Sequence, residues 1–277
     1  MQAKIINGKF YANKTLAKLK VEVKKLKAQK KLVKLAVILI GNDKSSISFI
    51  KKKEKACQQI GIDFQLYNLS KNSSPTEIIK TIKTAQKNVN GLIVQLPIPG
   101  IKHPSNILDN ISCAKDVDCL TTTNLGKLTS GHPRYLPPTA SAVMEIFRKE
   151  KISLIGKHIV MVGKGDLVGK PLAILLTQDK VTLTICNRYT KNLAFHTKQA
   201  DILISAVGIP KLITKNMIKA KAVVIDAGIS FKGKNIYGDV EWKKALAKAA
   251  KITPVPGGVG PLTVAELLKN VVQAASK

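Results

Sequence analysis

Six short, largely apolar runs rich in Val and Ile recur at residues 35–40, 92–96, 158–162, 181–186, 201–207 and 222–225. Continuous apolarity of that length suits strands covered on both faces, as in a parallel sheet, rather than the alternation of a half-solvated one. Between the runs the spacing becomes helical. Over residues 11–31, Leu16, Leu19, Val23 and Leu26 fall on one face and lysines fill the other, which predicts an amphipathic surface helix. Ser74, Pro75 and Glu77 predict a second helix start: a capping hydroxyl, a proline in the first turn and a carboxylate three residues after the cap. Strands alternating with helices imply an α/β protein with mostly parallel sheets.

Gly, Pro, Ser and Thr gather in SGHPRYLPPTAS, and a boundary is expected near residues 130–142, with a new helical run from Val143. Two domains follow: residues 1–140, rejoined by a C-terminal helix at 261–277, and residues 141–260. In the second, the run at 158–162 leads into GKGDLVGKP, with Gly163, Gly165 and Gly169. The spacing is G-x-G-x-x-x-G, not the usual dinucleotide fingerprint, and such glycines also make tight structural turns. A strand before it, a helix over 171–176 and another apolar run beyond make a βαβ unit whose helix N-terminus can face a pyrophosphate. An NAD-binding unit usually places an acid after the next strand, on the ribose 2′-hydroxyl. Here Asn187 and Arg188 stand there, and Lys164 lies in the turn. That positive field suits a 2′-phosphate, so NADP is expected over NAD, with Arg188 weighing more than Lys164 because surface lysines are ordinarily just solvated.

Composition adds exclusions. With 277 residues, 45% of them apolar, the chain can bury a core without disulfides or metal. No stretch approaches the ~20 apolar residues that span a bilayer. The opening MQAKIINGKFYANK lacks a secretory apolar core and cleavage site, so a cytoplasmic location is expected. Cys57, Cys113, Cys119 and Cys186 show no Cys-x-x-Cys pairing, and the histidines do not stand at zinc-ligand spacing with them, so neither a metal site nor a disulfide framework is expected. Basic residues number 46 against 17 acidic ones, a net charge of +29. That raises nucleic acid as a partner. Yet the charge is nearly all lysine, spread along the whole chain, and aromatics make up only 4%, so stacking platforms are scarce. A solvated lysine surface is expected, with no specific nucleic acid and a secondary attraction for polyanions.

Several blocks go beyond composition: GNDKSSISFIKKKEKACQQIGI from Gly41, GLIVQLPIPG from Gly91, AKDVDCLTTTNLGKL from Ala114, VGKGDLVGKPLAILL, ADILISAVGIP, VVIDAGI and ITPVPGGVGPLTVAELLKN from Ile252. In this order and spacing the chain resembles, along essentially its full length, the bifunctional 5,10-methylenetetrahydrofolate dehydrogenase/cyclohydrolase family. The resemblance implies a folate-binding catalytic domain followed by a Rossmann-type NADP domain, a homodimer built through the latter, tetrahydrofolate one-carbon derivatives as substrates, and two consecutive reactions. Hydride passes from the methylene carbon to NADP; water then opens the methenyl ring to 10-formyltetrahydrofolate. It implies Lys53 as the catalytic lysine, Gln95 as its polar partner and Asp118 as the carboxylate that anchors the pterin-like ring. It also implies substrate contacts at Ser46, Phe49, Gly257, Gly258 and Pro261, and cofactor contacts at Gly163, Lys164, Gly165, Gly169, Arg188 and Ile229.

The residues themselves allow these roles. Phe49 and Lys53 stand four apart, on one face of a helix that Ser46 is expected to precede. A desolvated amine exchanges protons nearer neutrality, although Lys51, Lys52 and Lys55 beside it are ordinary surface lysines. Gln95 equally suits a strand end. Asp116 and Asp118 point the same way if their segment is extended, or else make an Asx turn. Gly257, Gly258 and Gly260 permit close approach of a ligand or a rigid crossover. The chain departs from the family at Phe49, usually Tyr; at Pro137-Pro138-Thr139-Ala140, usually Pro-Cys-Thr-Pro; at Cys119, usually Gly; and at Gly165, usually Ser. These departures bear chiefly on hydrolysis, which needs positioned proton donors, whereas hydride transfer mainly needs two ligands held face to face. Two alternatives stand beside the bifunctional enzyme: a dehydrogenase with weakened cyclohydrolase activity, and a basic nucleic-acid-binding protein on an enzyme scaffold.

Overall fold

Strands buried on both faces need partners above and below, and the chain supplies them as two α/β units. The structure, a computed structural model, describes residues 2–233 and 235–277. Along the chain these form strands β1 (Lys4–Ile5), β2 (Lys34–Ile40), β3 (Asp63–Leu69), β4 (Gly91–Val94), β5 (His158–Val162), β6 (Thr182–Cys186), β7 (Ile202–Ser205), β8 (Val223–Asp226), β9 (Ser230–Lys232), β10 (Asn235–Tyr237) and β11 (Lys251–Ile252). The helices are α1 (Gly8–Ala28), α2 (Lys44–Ile60), α3 (Pro75–Ala85), α4 (Ser105–Leu108), α5 (Thr122–Thr129), α6 (Pro138–Lys149), α7 (Gly169–Thr177), α8 (Leu193–Thr197), α9 (Trp242–Ala245) and α10 (Val259–Ser276). No helix among the described residues is long and apolar enough to cross a membrane.

One unit comprises Asn13–Pro138 and Val264–Lys277. Its parallel sheet has the order β3-β2-β4. The central strand β2 is buried on both faces, which is why it reads as an unbroken apolar run. Ala36, Ile38 and Ile40 pack with Ile78 and Ile82 of α3. That helix starts as the sequence predicts: Ser74 Oγ accepts from Glu77 N, and Glu77 Oε2 accepts from Ser74 N. Strand β3 was not among the predicted runs. It is a sheet edge with mostly half-exposed side chains, so polar residues interrupt its pattern.

The other unit comprises residues 2–12 and Thr139–Thr263. Its parallel sheet has the order β1-β11-β8-β7-β5-β6, with β9 and β10 as a separate antiparallel pair. Val160, Leu203, Val224 and Ile252 share one core, while Ile159, Met161, Ile202 and Ile204 are buried on the opposite face. All six strands being parallel, their C-terminal ends share one edge, the edge at which open α/β sheets bind ligands.

Two expectations are corrected. Residues 2–12 belong to the second unit rather than to the first, because β1 extends its sheet through Lys4↔Lys251 and Ile5↔Ile252. An ion cluster around the buried Glu150 reinforces this: Lys4 Nζ (2.8 Å), Tyr11 Oη (2.6 Å) and Lys251 Nζ (3.2 Å) all donate to its carboxylate. The helix expected from Val143 begins at Pro138, where a missing N–H costs nothing in the first turn.

Candidate active site

Helix α2 carries Ser46, Phe49 and Lys53. Asp43 caps it by accepting from Ser46 N at 2.8 Å, and Gly61 ends it with φ 83. Ser46 is therefore buried within the first turn rather than preceding the helix. Lys51, Lys52 and Lys55 are exposed, but Lys53, on the face shared with Phe49, is half-buried. Its Nζ donates to Gln95 Oε1 at 3.0 Å. Gln95 follows β4; its backbone N–H donates to Ile38 O, and its Nε2 donates to Leu96 O at 2.9 Å. That second bond directs the amide oxygen toward the amine. Burial pushes the Lys53 amine below its usual range, opposed by the nearby Asp118 carboxylate; burial likewise pushes Asp118 up, opposed by Lys53. The structure thus brings Lys53, Gln95 and Asp118 into one group, in which burial biases the amine and the carboxyl toward their neutral forms.

The segment carrying Asp118 is a turn, not an extended strand, so Asp116 and Asp118 do not act alike. Asp116 is 1% exposed and accepts from Leu120 N, Thr121 N, Thr121 Oγ1 and Asn124 Nδ2. It ties the turn together from inside. Cys119 sits at φ 58, a region that favours glycine and costs other residues ~1–2 kcal/mol; this accounts for the family's usual Gly there. Asn270 on α10 donates to Val117 O at 2.8 Å, and Leu92 N donates to Lys115 O at 2.8 Å. Asp116 and Asn270 thus hold the site without belonging to its chemistry. Sequence reasoning missed Asn270 altogether; an amide set directly before the apolar pair Val271–Val272 was the available signal.

The other proposed contacts lie in the six-stranded unit. Gly163 ends β5 with φ 108, where a Cβ would crowd the Ala206 carbonyl. At Gly169 a Cβ would fall 2.6 Å from Lys164 Cα. The turn therefore closes only with glycine at both positions. Gly165 has open space and no unusual φ, so the family's Ser would fit there equally well. Helix α7 starts at Gly169 without a side-chain cap; in its first turn Lys170 N donates to Gly165 O at 3.0 Å and Pro171 carries no N–H, so an anion there meets the positive end of the helix rather than a row of open donors. Arg188 is exposed just past β6 and lies 4.7 Å from the Tyr189 ring centroid. Gly163 N donates to Cys186 O at 2.9 Å, so the glycine turn and Arg188 share one sheet edge. Lys164 is exposed. Ile229 follows β8, with its carbonyl 3.2 Å from the Cβ position of Gly208. An uncapped helix, a backbone cradle that a Cβ would fill and a guanidinium on the same edge fit a phosphorylated dinucleotide.

Gly257, Gly258 and Pro261 also belong to this unit, not to that of Lys53. The close approach that Gly258 permits is made by Gly8 at the start of α1, and Gly257 O accepts from Lys9 N at 2.9 Å. The glycine pair is thus packed against the chain itself, and Pro261 stands half-buried in the first turn of α10.

A Rossmann-type parallel unit, in a chain whose second α/β unit holds a Lys–Gln–Asp group, defines a nicotinamide-dinucleotide-dependent α/β enzyme. The family models make this specific. That of the tetrahydrofolate dehydrogenase/cyclohydrolase catalytic domain matches residues 6–118, and that of the corresponding NAD(P)-binding domain matches residues 137–277. The chain belongs to the tetrahydrofolate dehydrogenase/cyclohydrolase family. It is 44% identical to the bifunctional protein FolD of Acetivibrio thermocellus, over 99% of this chain and 98% of that one. The crystal structure of the FolD methylenetetrahydrofolate dehydrogenase/cyclohydrolase from Campylobacter jejuni matches with a TM-score of 0.94 at 37% identity, covering 99% of both chains. That of Trypanosoma brucei N5,N10-methylenetetrahydrofolate dehydrogenase-cyclohydrolase, complexed with NADP cofactor and inhibitor, matches with a TM-score of 0.95 at 33% identity, covering 100% of this chain and 98% of that one.

Proposed function

We propose that the protein oxidises 5,10-methylenetetrahydrofolate to the 5,10-methenyl form with NADP, then hydrolyses it to 10-formyltetrahydrofolate. The observation that carries this is the Lys53 Nζ to Gln95 Oε1 hydrogen bond beside Asp118, in a member of this family. NADP, when bound, accepts the hydride and both its electrons from the methylene carbon. Asp118 accepts hydrogen bonds from the N–H groups of the pterin-like ring and so orients it. In the second step water adds to the methenyl carbon and gives a proton to the neutral Lys53 amine, which returns it to the ring nitrogen as the carbon–nitrogen bond opens; the remaining proton on the added oxygen leaves to solvent as the formyl C=O forms. Gln95 holds that amine in place throughout. Gly163 and Gly169 let the backbone approach the pyrophosphate, the start of α7 faces it, and Arg188 neutralises the 2′-phosphate.

A second reading, hydride transfer with weakened hydrolysis, is favoured by one observation: Phe49, on the Lys53 face of α2, carries no hydroxyl for proton handling. One assay tests both. Purified protein is given methylenetetrahydrofolate and NADP while NADPH formation and methenyl decay are followed separately. The bifunctional reading predicts methenyl decay well above its spontaneous rate; accumulation of methenyl product supports the second reading, and absence of NADPH refutes both. The protein is further proposed to act as a cytoplasmic homodimer built through the six-stranded unit, whose edge strand β6 leaves Ile185 43% exposed; sedimentation at two protein concentrations checks the dimer.

A further inference from the structure

Beyond the glycine turn, the C-terminal edge of the six-stranded sheet carries a device that the reaction as described does not use. Asp239 is fully buried, and its carboxylate accepts four hydrogen bonds. Oδ2 takes Ser205 Oγ at 2.7 Å and Val207 N at 2.8 Å; Oδ1 takes Gly208 N and Ile209 N, each at 2.9 Å. Three consecutive N–H groups of the loop after β7 thus converge on one side chain. Asp239 is itself fixed by a second buried acid: Asp226, at the end of β8, accepts from Asp239 N at 3.1 Å, Val240 N at 2.9 Å and Gly228 N at 3.0 Å. The loops after β7 and β8 are therefore pinned as one piece.

The pinned loop has an unusual surface. Val207 is 39% and Ile209 50% exposed, on either side of Gly208 at φ 79. Apolar side chains on a rigid, solvent-facing loop suit a ligand contact better than a connection. Topology says which part of the ligand. Strand order places β6 with Arg188 on one side of β5 and its glycine turn, and β7 then β8 on the other. With the 2′-phosphate of the adenosine at Arg188 and the pyrophosphate at the turn, the nicotinamide half extends toward the loops after β7 and β8. Gly163 packs on Ala206, and Gly208 lies against the carbonyl of Ile229, so moving residues 206–209 would disturb that whole stretch.

We propose that Asp239 is a positioning residue for the nicotinamide half of the dinucleotide, acting through the Val207–Gly208–Ile209 backbone; this rests on the NADP reading above. Asp239→Asn keeps the size of the side chain but turns one oxygen into an NH2 group that faces two donors, so two of the four bonds are lost. The test compares NADP with 2′,5′-ADP, which carries the adenosine and its 2′-phosphate but no nicotinamide. The variant should raise the KM for NADP by about tenfold or more, and change the inhibition constant of 2′,5′-ADP by less than about twofold. Equal weakening of both ligands, or weakening of neither, overturns the proposal. Should Asp239→Asn fail to fold, Ser205→Ala removes a single donor, and roughly threefold weaker NADP binding with unchanged 2′,5′-ADP binding is expected; the same two results overturn it. Wild-type protein that binds neither ligand would instead overturn the dinucleotide reading itself.

Discussion

Lys53→Met removes an amine while keeping the length of the side chain. In the wild type that amine donates to Gln95 Oε1 at 3.0 Å and faces Asp118. Losing the bond costs about 1 kcal/mol and leaves Gln95, 9% exposed, short of a donor. Against this, the variant no longer desolvates an ionisable amine, which burial disfavours. The opposing effects leave stability within about 1–2 kcal/mol of wild type, a melting shift of only a few degrees at ~2–4 °C per kcal/mol. Activity loses its proton carrier, a factor of ~10²–10⁴. The assay is the decay of methenyltetrahydrofolate, corrected for spontaneous hydrolysis and read alongside a thermal melt. The pH profile supplies a sign. Because burial lowers the Lys53 pKa, the neutral amine and the wild-type rate rise with pH up to that lowered value, and the variant loses this limb. A folded Lys53→Met protein that hydrolyses within tenfold of wild type would refute the assignment.

Three further outcomes follow from named contacts. Arg188→Ala should raise the KM for NADP by roughly 10–100-fold and leave that for NAD nearly unchanged, since a charged hydrogen bond to phosphate contributes ~1.5–3 kcal/mol; steady-state kinetics with both cofactors decides it. Phe49→Tyr should raise the cyclohydrolase rate several-fold to about tenfold with hydride transfer unchanged, because only hydrolysis uses a placed hydroxyl; equal change in both rates contradicts this. Glu150→Gln should cost about 2–3 kcal/mol in urea unfolding at neutral pH. Burial raises the Glu150 pKa, but hydrogen bonds from Lys4, Tyr11 and Lys251 bring it net below its usual 4.5. A depressed carboxylate stabilises fully above its unfolded value and loses that contribution as pH falls through the folded one. The gap between variant and wild type should therefore shrink in acid below about pH 4.5; a gap independent of pH would count against the ion cluster.

The amino-acid pattern determined the class of the fold, because a strand buried on both faces must be apolar throughout. The run at 158–162 coincides with β5, and the capping box at Ser74 forms as spaced. It also placed Phe49 and Lys53 on one helix face and Gly163 at the end of a strand, both properties of local geometry. Edge strand β3 escaped notice because half-exposed side chains impose no apolar signature. Only the tertiary structure decided which unit residues 2–12 join, since that depends on β1 meeting β11, almost the whole chain length away. It also decided that Asp116 ties a turn from within while Asp118 faces Lys53, because the chain turns through Val117 and Asp118 and two aspartates two positions apart part company there. The convergence of Ser205, Val207, Gly208 and Ile209 on Asp239 was equally out of reach. A carboxylate in sequence carries no mark of whether water or four donors will surround it; burial, a property of the folded whole, settles that.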